Sequence, residues 1–343
     1  MDMMGKIGRR TLLTGAAALA AAPRAHAAGQ VVVGTWGGDY AALLAENIDK
    51  PLLAPKGIEV VQDVAPQDPR KAKLTAERAS RRGTMDVACL SDVDSASMSL
   101  LNVWEPVTAE AVPNLPHVLP ALRTPYSIPH IYSGLVILYN PDKIKTPPKS
   151  YTDFWDPKYK GRVGFVDILY LYNIAAAALA HGGSMNNFEP GKPALRDLKR
   201  LEPKIYPSNE AMATALKAEE VWMTPMWLAR GVFWRKGGVN VAHAVPSEGA
   251  TPYISAAAVP KNAQNKANGM AYLNAMLDPR AQVAFAERMS YAPTVDNAPV
   301  PAELMQQIGF TPEQQANFKN PDYDYMAKNT SQLNDFWNRD FKS

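Results

Sequence analysis

Cysteine is nearly absent from this 343-residue chain, which holds Cys89 and no other. An intrachain disulfide and a thiolate metal cluster are thereby excluded, and packing alone has to hold the fold. Histidine is scarce as well: beyond His26 there are His117, His130, His181 and His243, none paired at metal-ligand spacing. Catalytic signatures are missing in the same way, for no GxGxxG follows a strand and there is no P-loop, GxSxG elbow, HExxH or CxxC. His181-Gly182-Gly183 falls where a helix stops, which is the ordinary use of glycine, and Cys89 lies in an apolar strand as an inert buried thiol would. The sequence offers no catalytic centre. The alanine-rich run from Thr11 to Ala22 is too short to span a bilayer.

What is present describes a large globule. The chain is about twice as long as one hydrophobic core usually supports, so two packed lobes are expected. At 47% hydrophobic and 20% charged residues it is neither disordered nor a membrane bundle. Its first 27 residues read as an export signal: Lys6, Arg9 and Arg10 begin it, the Thr11 to Ala22 run follows, and Ala25-His26-Ala27 is a small-x-small cleavage site. Paired arginines ahead of Thr-Leu-Leu resemble the twin-arginine signal, whose cargo crosses the membrane folded; a Sec signal containing two arginines is the alternative. Lys6, Arg9, Arg10 and Arg24 against Asp2 account for the entire formal charge of +3. The remaining chain is balanced at 32 groups of each sign, which removes the bulk electrostatic case for nucleic acid or an anionic membrane surface.

Strand and helix signals alternate after the signal. Val31 to Val33 is a β-branched strand, a Thr35-Trp36-Gly37-Gly38 loop follows, and a helix with Asp39 as its cap starts there. Ile58 to Val64, a basic helix from Arg70 to Arg81, and a strand from Asp86 to Leu90 complete two βαβ crossovers, which argues for a parallel sheet covered on both faces. The theme restarts with strands at Gly134 to Asn140 and Gly161 to Asp167, the helix Ile168 to His181, and helices at 195–201 and 210–217. Strands at 221–227, 239–245 and 251–259 follow, with helices at 231–235, 264–278 and 280–289. The expected architecture is α/β, two lobes joined by more than one crossing strand.

In open α/β sheets the ligand crevice lies beyond the carboxyl ends of the strands. The residues at those ends are Trp36 and Asp39; Ser91 and Asp92; Asp167, Tyr170 and Tyr172; Trp227 and Arg230; Tyr253 and Ser255. Aromatics mixed with a few charges suit a small polar or cationic organic solute, because ring faces cover methylenes and attract ammonium groups.

Longer motifs carry a family resemblance. Tyr126-Ser-Ile-Pro-His-Ile-Tyr132 with Gly134 and Tyr139-Asn140 resembles the segment entering the second lobe of periplasmic spermidine/putrescine-binding proteins, within the extracellular solute-binding family of ABC transporters. Thr35-Trp36 with Tyr40, Met85-Asp86-Val87 leading to Ser91, and the Phe-Trp-Asp-Pro-Lys-Tyr-Lys-Gly stretch ending at Gly161 match in the same order. Pro225-Met226-Trp227, Ala258 to Ala263 and Tyr291-Ala292-Pro293-Thr294 complete the series, which covers nearly the whole chain after the signal.

The resemblance implies a type II-like periplasmic-binding fold. Two jaws close on a solute and present it to an ABC permease and its ATPase in the periplasm, as a monomer, with no cofactor, metal or chemistry of their own. It implies an N-terminal lobe of residues 28–132 with 251–297 and a C-terminal lobe of 133–250 with 298–343. In the polyamine-binding relatives aromatics sandwich the methylene chain and carboxylates hold the amines. Trp36, Asp39, Ser91, Trp227, Tyr253 and Tyr291 match cleft positions, and Asp167 falls at or beside a carboxylate position. Two other family carboxylates fall here among Leu169 to Tyr172 and at Ser255. Each buried ammonium needs a partner, so the implied solute carries fewer positive charges than spermidine, as a monoamine or zwitterion does. Arg230 either clamps a ligand carboxylate or begins a solvated helix face. Three alternatives stand beside this one: ferric iron bound by Tyr170 and Tyr172, an exported hydrolase on the same scaffold, and a sensor subunit serving a receptor.

Overall fold

The computed structural model describes residues 29–343, so the expected export segment lies outside the described residues. In chain order the strands and helices are β1 (Gln30–Thr35), α1 (Gly38–Leu44), β2 (Glu59–Val64), α2 (Gln67–Glu77), β3 (Val87–Ser91), α3 (Asp92–Leu100) and β4 (Ile128–Tyr139). Next come β5 (Gly164–Val166), α4 (Tyr170–Ala180), α5 (Gly191–Leu198), β6 (Lys204–Tyr206), α6 (Asn209–Lys217), β7 (Met223–Trp227) and α7 (Leu228–Lys236). Then follow β8 (Ala242–Ala244), β9 (Thr251–Ala258), α8 (Lys266–Met276), α9 (Pro279–Met289), β10 (Ala292–Pro293), α10 (Ala302–Ile308), α11 (Pro312–Ala316) and α12 (Tyr323–Phe336). None of the described helices is long and apolar enough to cross a membrane.

Both expected crossovers are present. β1 pairs in parallel with β2 on one side and β3 on the other, so two successive βαβ units give the order 2-1-3. Antiparallel β9 extends this sheet beside β3, and β4 lies beside β9. The lobes meet in β4, whose twelve residues are all buried. Its first part, Ile128 to Leu135, pairs with β9, while Leu135 to Tyr139 pairs with β7 and the last three residues with β8. Leu135 belongs to both sets, with Thr251 across one flank and Trp227 across the other. β5 and β6 pair in parallel, and Val163 bridges to Met223 to join them to the second set. The chain is therefore a two-lobe α/β fold, with parallel strands at the heart of each lobe and crossing strands between them.

Several boundaries differ from the sequence expectation. The strand read from Gly134 begins at Ile128, because the Ile-Pro-His-Ile-Tyr-Ser stretch is buried throughout and a bulge between Pro129 and Ile131 absorbs the proline. The strand read over 239–245 shrinks to Ala242–Ala244. Helices α3, α10, α11 and α12 were not anticipated. Asp39 does not cap α1: Gly37 holds the cap position without a side chain, and Asp39 lies exposed in the first turn, where its charge still favours the positive end of the helix. α12 packs against both α3 and α4, so the C-terminal segment touches both lobes.

Candidate functional site

Between the lobes lies a cleft in two compartments. The smaller, about 320 Å³, is walled by Trp36 and Gly37 from the β1–α1 turn, Asp39 and Tyr40 from the start of α1, Arg230 from α7, Tyr253 and Ser255 from β9, and Met289 and Tyr291. The larger, about 940 Å³, is lined by Gln67, Lys71, Ser91, Asp94 and Met98 of the first lobe and by Leu169 to Tyr172 and Trp227 of the second. Trp36 and Tyr253 belong to both walls.

The first jaw is built from β1 and its neighbours. β1 ends at Thr35, so Trp36 emerges at the carboxyl end of a parallel strand. Its ring meets Tyr40 edge-on at 5.2 Å, and the guanidinium carbon of Arg70 lies 5.1 Å from its centroid. Arg70 is buried although it has no carboxylate partner among the described residues; Nη1 donates to the Cys89 carbonyl (2.5 Å) and Nη2 to that of Ala65 (2.7 Å). A charge so held cannot wander, and it fixes the tryptophan above it. Behind Tyr40 the hydroxyl shares a 2.7 Å hydrogen bond with His130 Nδ1 and lies 3.4 Å from Ser255 Oγ. Burial pushes the His130 pKa down to about 3, so the imidazole is neutral and structural.

The second jaw turns on β7 and α7. Gly231 lets α7 press onto β4, since a Cβ there would stand 2.5 Å from a Leu138 methyl. That seating brings Trp227 and Arg230 to the cleft. Trp227, 4% exposed, meets Tyr172 edge-on at 4.7 Å and Tyr253 in a tilted stack at 5.0 Å; Tyr291 continues the row 6.1 Å beyond Tyr253. Burial raises the hydroxyl pKa of Tyr172, Tyr253 and Tyr291, so all three are neutral groups. Of the two orientations left open for Arg230, the one in the structure lines the smaller compartment.

The structure thus gathers Trp36, Asp39, Ser91, Tyr170, Trp227, Arg230, Tyr253, Ser255 and Tyr291 around one cleft. Two expected residues are elsewhere. Asp92 turns away into a separate small void, accepts a 2.8 Å hydrogen bond from the Tyr323 hydroxyl, and is raised to about pKa 7 by burial. Asp167 is occupied by the C-terminal segment, accepting from Trp337 Nε1 at 2.7 Å and Lys342 Nζ at 2.5 Å. Burial alone would raise its pKa, but these two bonds and the Lys342 charge prevail and lower it. Neither position sits at a strand end by accident; what redirected both carboxylates is a C-terminal segment with no strand or helix signal strong enough to be read.

Four contributors went unread. Gln67 donates to Asp94 and its carbonyl oxygen accepts from Ser91 N at 2.8 Å, while Lys71 pairs with Asp94 at 2.6 Å. Gln67, Arg70 and Lys71 lie at i, i+3 and i+4 on α2, the spacing that puts residues on one helical face, which was the available signal for those three; the fourth, Asp94, lies on α3. The ferric alternative finds little support, because burial raises both Tyr170 and Tyr172 and disfavours the tyrosinates iron would need.

A family model described as bacterial extracellular solute-binding protein matches residues 48–312. The spermidine/putrescine-binding periplasmic protein of Escherichia coli (strain K12) is 29% identical over 171 residues, 48% of this chain and 49% of that protein. The chain thus spans about half the length of such relatives. The putrescine-binding periplasmic protein SpuD of Pseudomonas aeruginosa is 24% identical over 324 residues, 84% of this chain and 85% of its own. Among solved structures, an ABC transporter protein from Clostridium perfringens superposes with a TM-score of 0.79 at 20% identity, covering 91% of this chain and 99% of that one. The Atu4243–GABA receptor superposes at 0.77 with 21% identity, covering 90% and 96%. These structural likenesses speak to fold.

Proposed function

The chain belongs to the bacterial extracellular solute-binding protein family, and from that premise we propose that it is the extracytoplasmic substrate-binding component of an ABC importer. It captures a small polar organic solute between its lobes and delivers it to a membrane permease driven by an ATPase. The observation that carries the proposal is the shared position of Trp36 and Tyr253, which wall both compartments of a cleft whose other sides come from opposite lobes. Closing the lobes would enclose a solute between aromatic faces, which is binding without chemistry. The periplasm is the proposed site of action, as it is for the named relatives. We take the jaws to be residues 28–132 with 251–297 and residues 133–250 with 298–343, and the working unit to be a monomer.

Stripping the purified protein of solute by unfolding and refolding, then adding a bacterial metabolite extract, tests the proposal. The expected result is a higher melting temperature and a stoichiometric small molecule in native mass spectrometry. An unchanged melting curve with no bound mass would remove it.

A further inference from the structure

Resting on the solute-binding proposal above, we infer that the solute is a zwitterionic amino carboxylate, its carboxylate clamped by Arg230 and its ammonium directed to Asp39. The argument is a census of charge in the cleft. Arg230 stands in the first turn of α7 and walls the smaller compartment, with its Nε enclosed and lacking any hydrogen-bond partner. No ion pair among the described residues includes it. A guanidinium held this way is short of an anion, and its planar fork fits a carboxylate in two parallel bonds.

The helix that carries Arg230 adds to the same field. α7 runs for nine residues and begins at Trp227 with no side-chain cap; Ser133 Oγ satisfies the Ala229 amide at 3.0 Å, and no other side chain serves its first turn. α3, by contrast, is closed by the Ser91 hydroxyl accepting from Asp94 N. A helix start served by this one hydroxyl, beside an arginine without an ion-pair partner, is a place for negative charge.

The acids of the cleft point the same way. Asp94 is taken by Lys71 and Gln67, Asp167 by Lys342 and Trp337, and Asp92 faces Tyr323 outside the cleft. Asp68, at the rim of the larger compartment, lies 4.0 Å from Lys71 Nζ. Asp39 remains: exposed in the first turn of α1, it lines the same smaller compartment as Arg230 and has no ion-pair partner among the described residues. One unpaired cation and one unpaired anion complement a zwitterion. A diamine needs two carboxylates and would meet the Arg230 charge head-on. Tyr253 and Tyr291 line the same compartment, and their rings can cover a short methylene chain.

Calorimetry on the solute-stripped full chain decides the matter, using 4-aminobutanoate and 5-aminopentanoate against putrescine, spermidine and pentanoate. The expected result is that an amino carboxylate binds at least about tenfold more tightly than either polyamine, that Arg230→Gln weakens it by about 100-fold, and that Arg230→Lys recovers part of the loss. Unliganded melting curves of the variants check that they fold. Polyamines binding more tightly than amino carboxylates would overturn the inference and leave the solute-binding proposal standing. Equal affinity in the wild type and Arg230→Gln would overturn it too. Silence from every probe, together with silence from the metabolite extract, would overturn both.

Discussion

The hydroxyl of Tyr323 donates a 2.8 Å hydrogen bond to Asp92 Oδ2, tying the first residue of α12 to the first residue of α3. The bond is deep: Asp92 is 6% exposed, and Tyr126 lies on the same void. Since α12 also packs on α4, this contact joins the C-terminal helix to the first lobe while its other side stays with the second.

Asp92 should make stability fall as pH rises. Its carboxyl is raised from 3.8 to about 7 by burial, so between those values the folded protein holds a proton the unfolded chain has released. The stabilisation is fully present below pH 4 and is lost as pH climbs toward 7. In Asp92→Asn that component should vanish, so the variant's melting temperature should gain on the wild type's by several degrees between pH 5 and pH 8. Parallel profiles would show that Asp92 does not titrate there.

His130 works with the opposite sign. Its pKa is depressed from 6.5 to about 3 by burial against Tyr40 and Phe285, so the unfolded chain takes up a proton that the folded one refuses. The contribution is present above pH 6.5 and is lost as pH falls toward 3. His130→Gln should therefore show a shallower acid limb in a urea-melt series from pH 7 to pH 4, and an unchanged limb would contradict the assignment.

Trp227→Ala should damage binding and folding together. The ring walls the larger compartment but is 4% exposed and wedged between Tyr172 and Tyr253, so its loss should cost roughly 3–5 kcal/mol of stability as well as solute affinity. Trp227→Phe should restore most of the stability. Chemical denaturation read beside calorimetry separates the two effects; full stability in the alanine variant would show that the ring is not part of the core.

Asp167→Asn should leave solute affinity unchanged. Its partners are Trp337 and Lys342, so the expected loss is one of stability, on the order of 1–3 kcal/mol, with a matching effect from Lys342→Ala. A tenfold or larger fall in affinity without loss of stability would return this carboxylate to the cleft.

Much of the site was legible because strand ends are legible. Val31 to Val33 and the glycines after them announce a strand that stops, and Trp36 must then stand at its carboxyl end. Trp227, the last residue of β7, follows by the same logic, whereas Tyr253 is the third residue of β9 and reaches the cleft from within its strand. The two misplaced carboxylates were illegible for a physical reason: where Asp92 and Asp167 point depends on Tyr323, Trp337 and Lys342, more than 150 residues away. No local pattern encodes such a choice. α12 escaped notice because Tyr323–Phe336 mixes tyrosine, asparagine, serine and threonine with few apolar residues, and its helicity depends on packing against α3 and α4. Arg70 looked like one member of a basic helix; only the fold reveals that it supports Trp36.

β4 has a mechanical consequence. A single strand serves as a load-sharing beam for both lobes, and at Leu135 it is gripped from both flanks at once. Sliding one lobe past the other would shear that register, whereas a twist about the strand axis leaves every rung in place. The cleft should accordingly open by torsion, and the two lobes should melt together, because one eight-stranded sheet runs through both of them by way of β4.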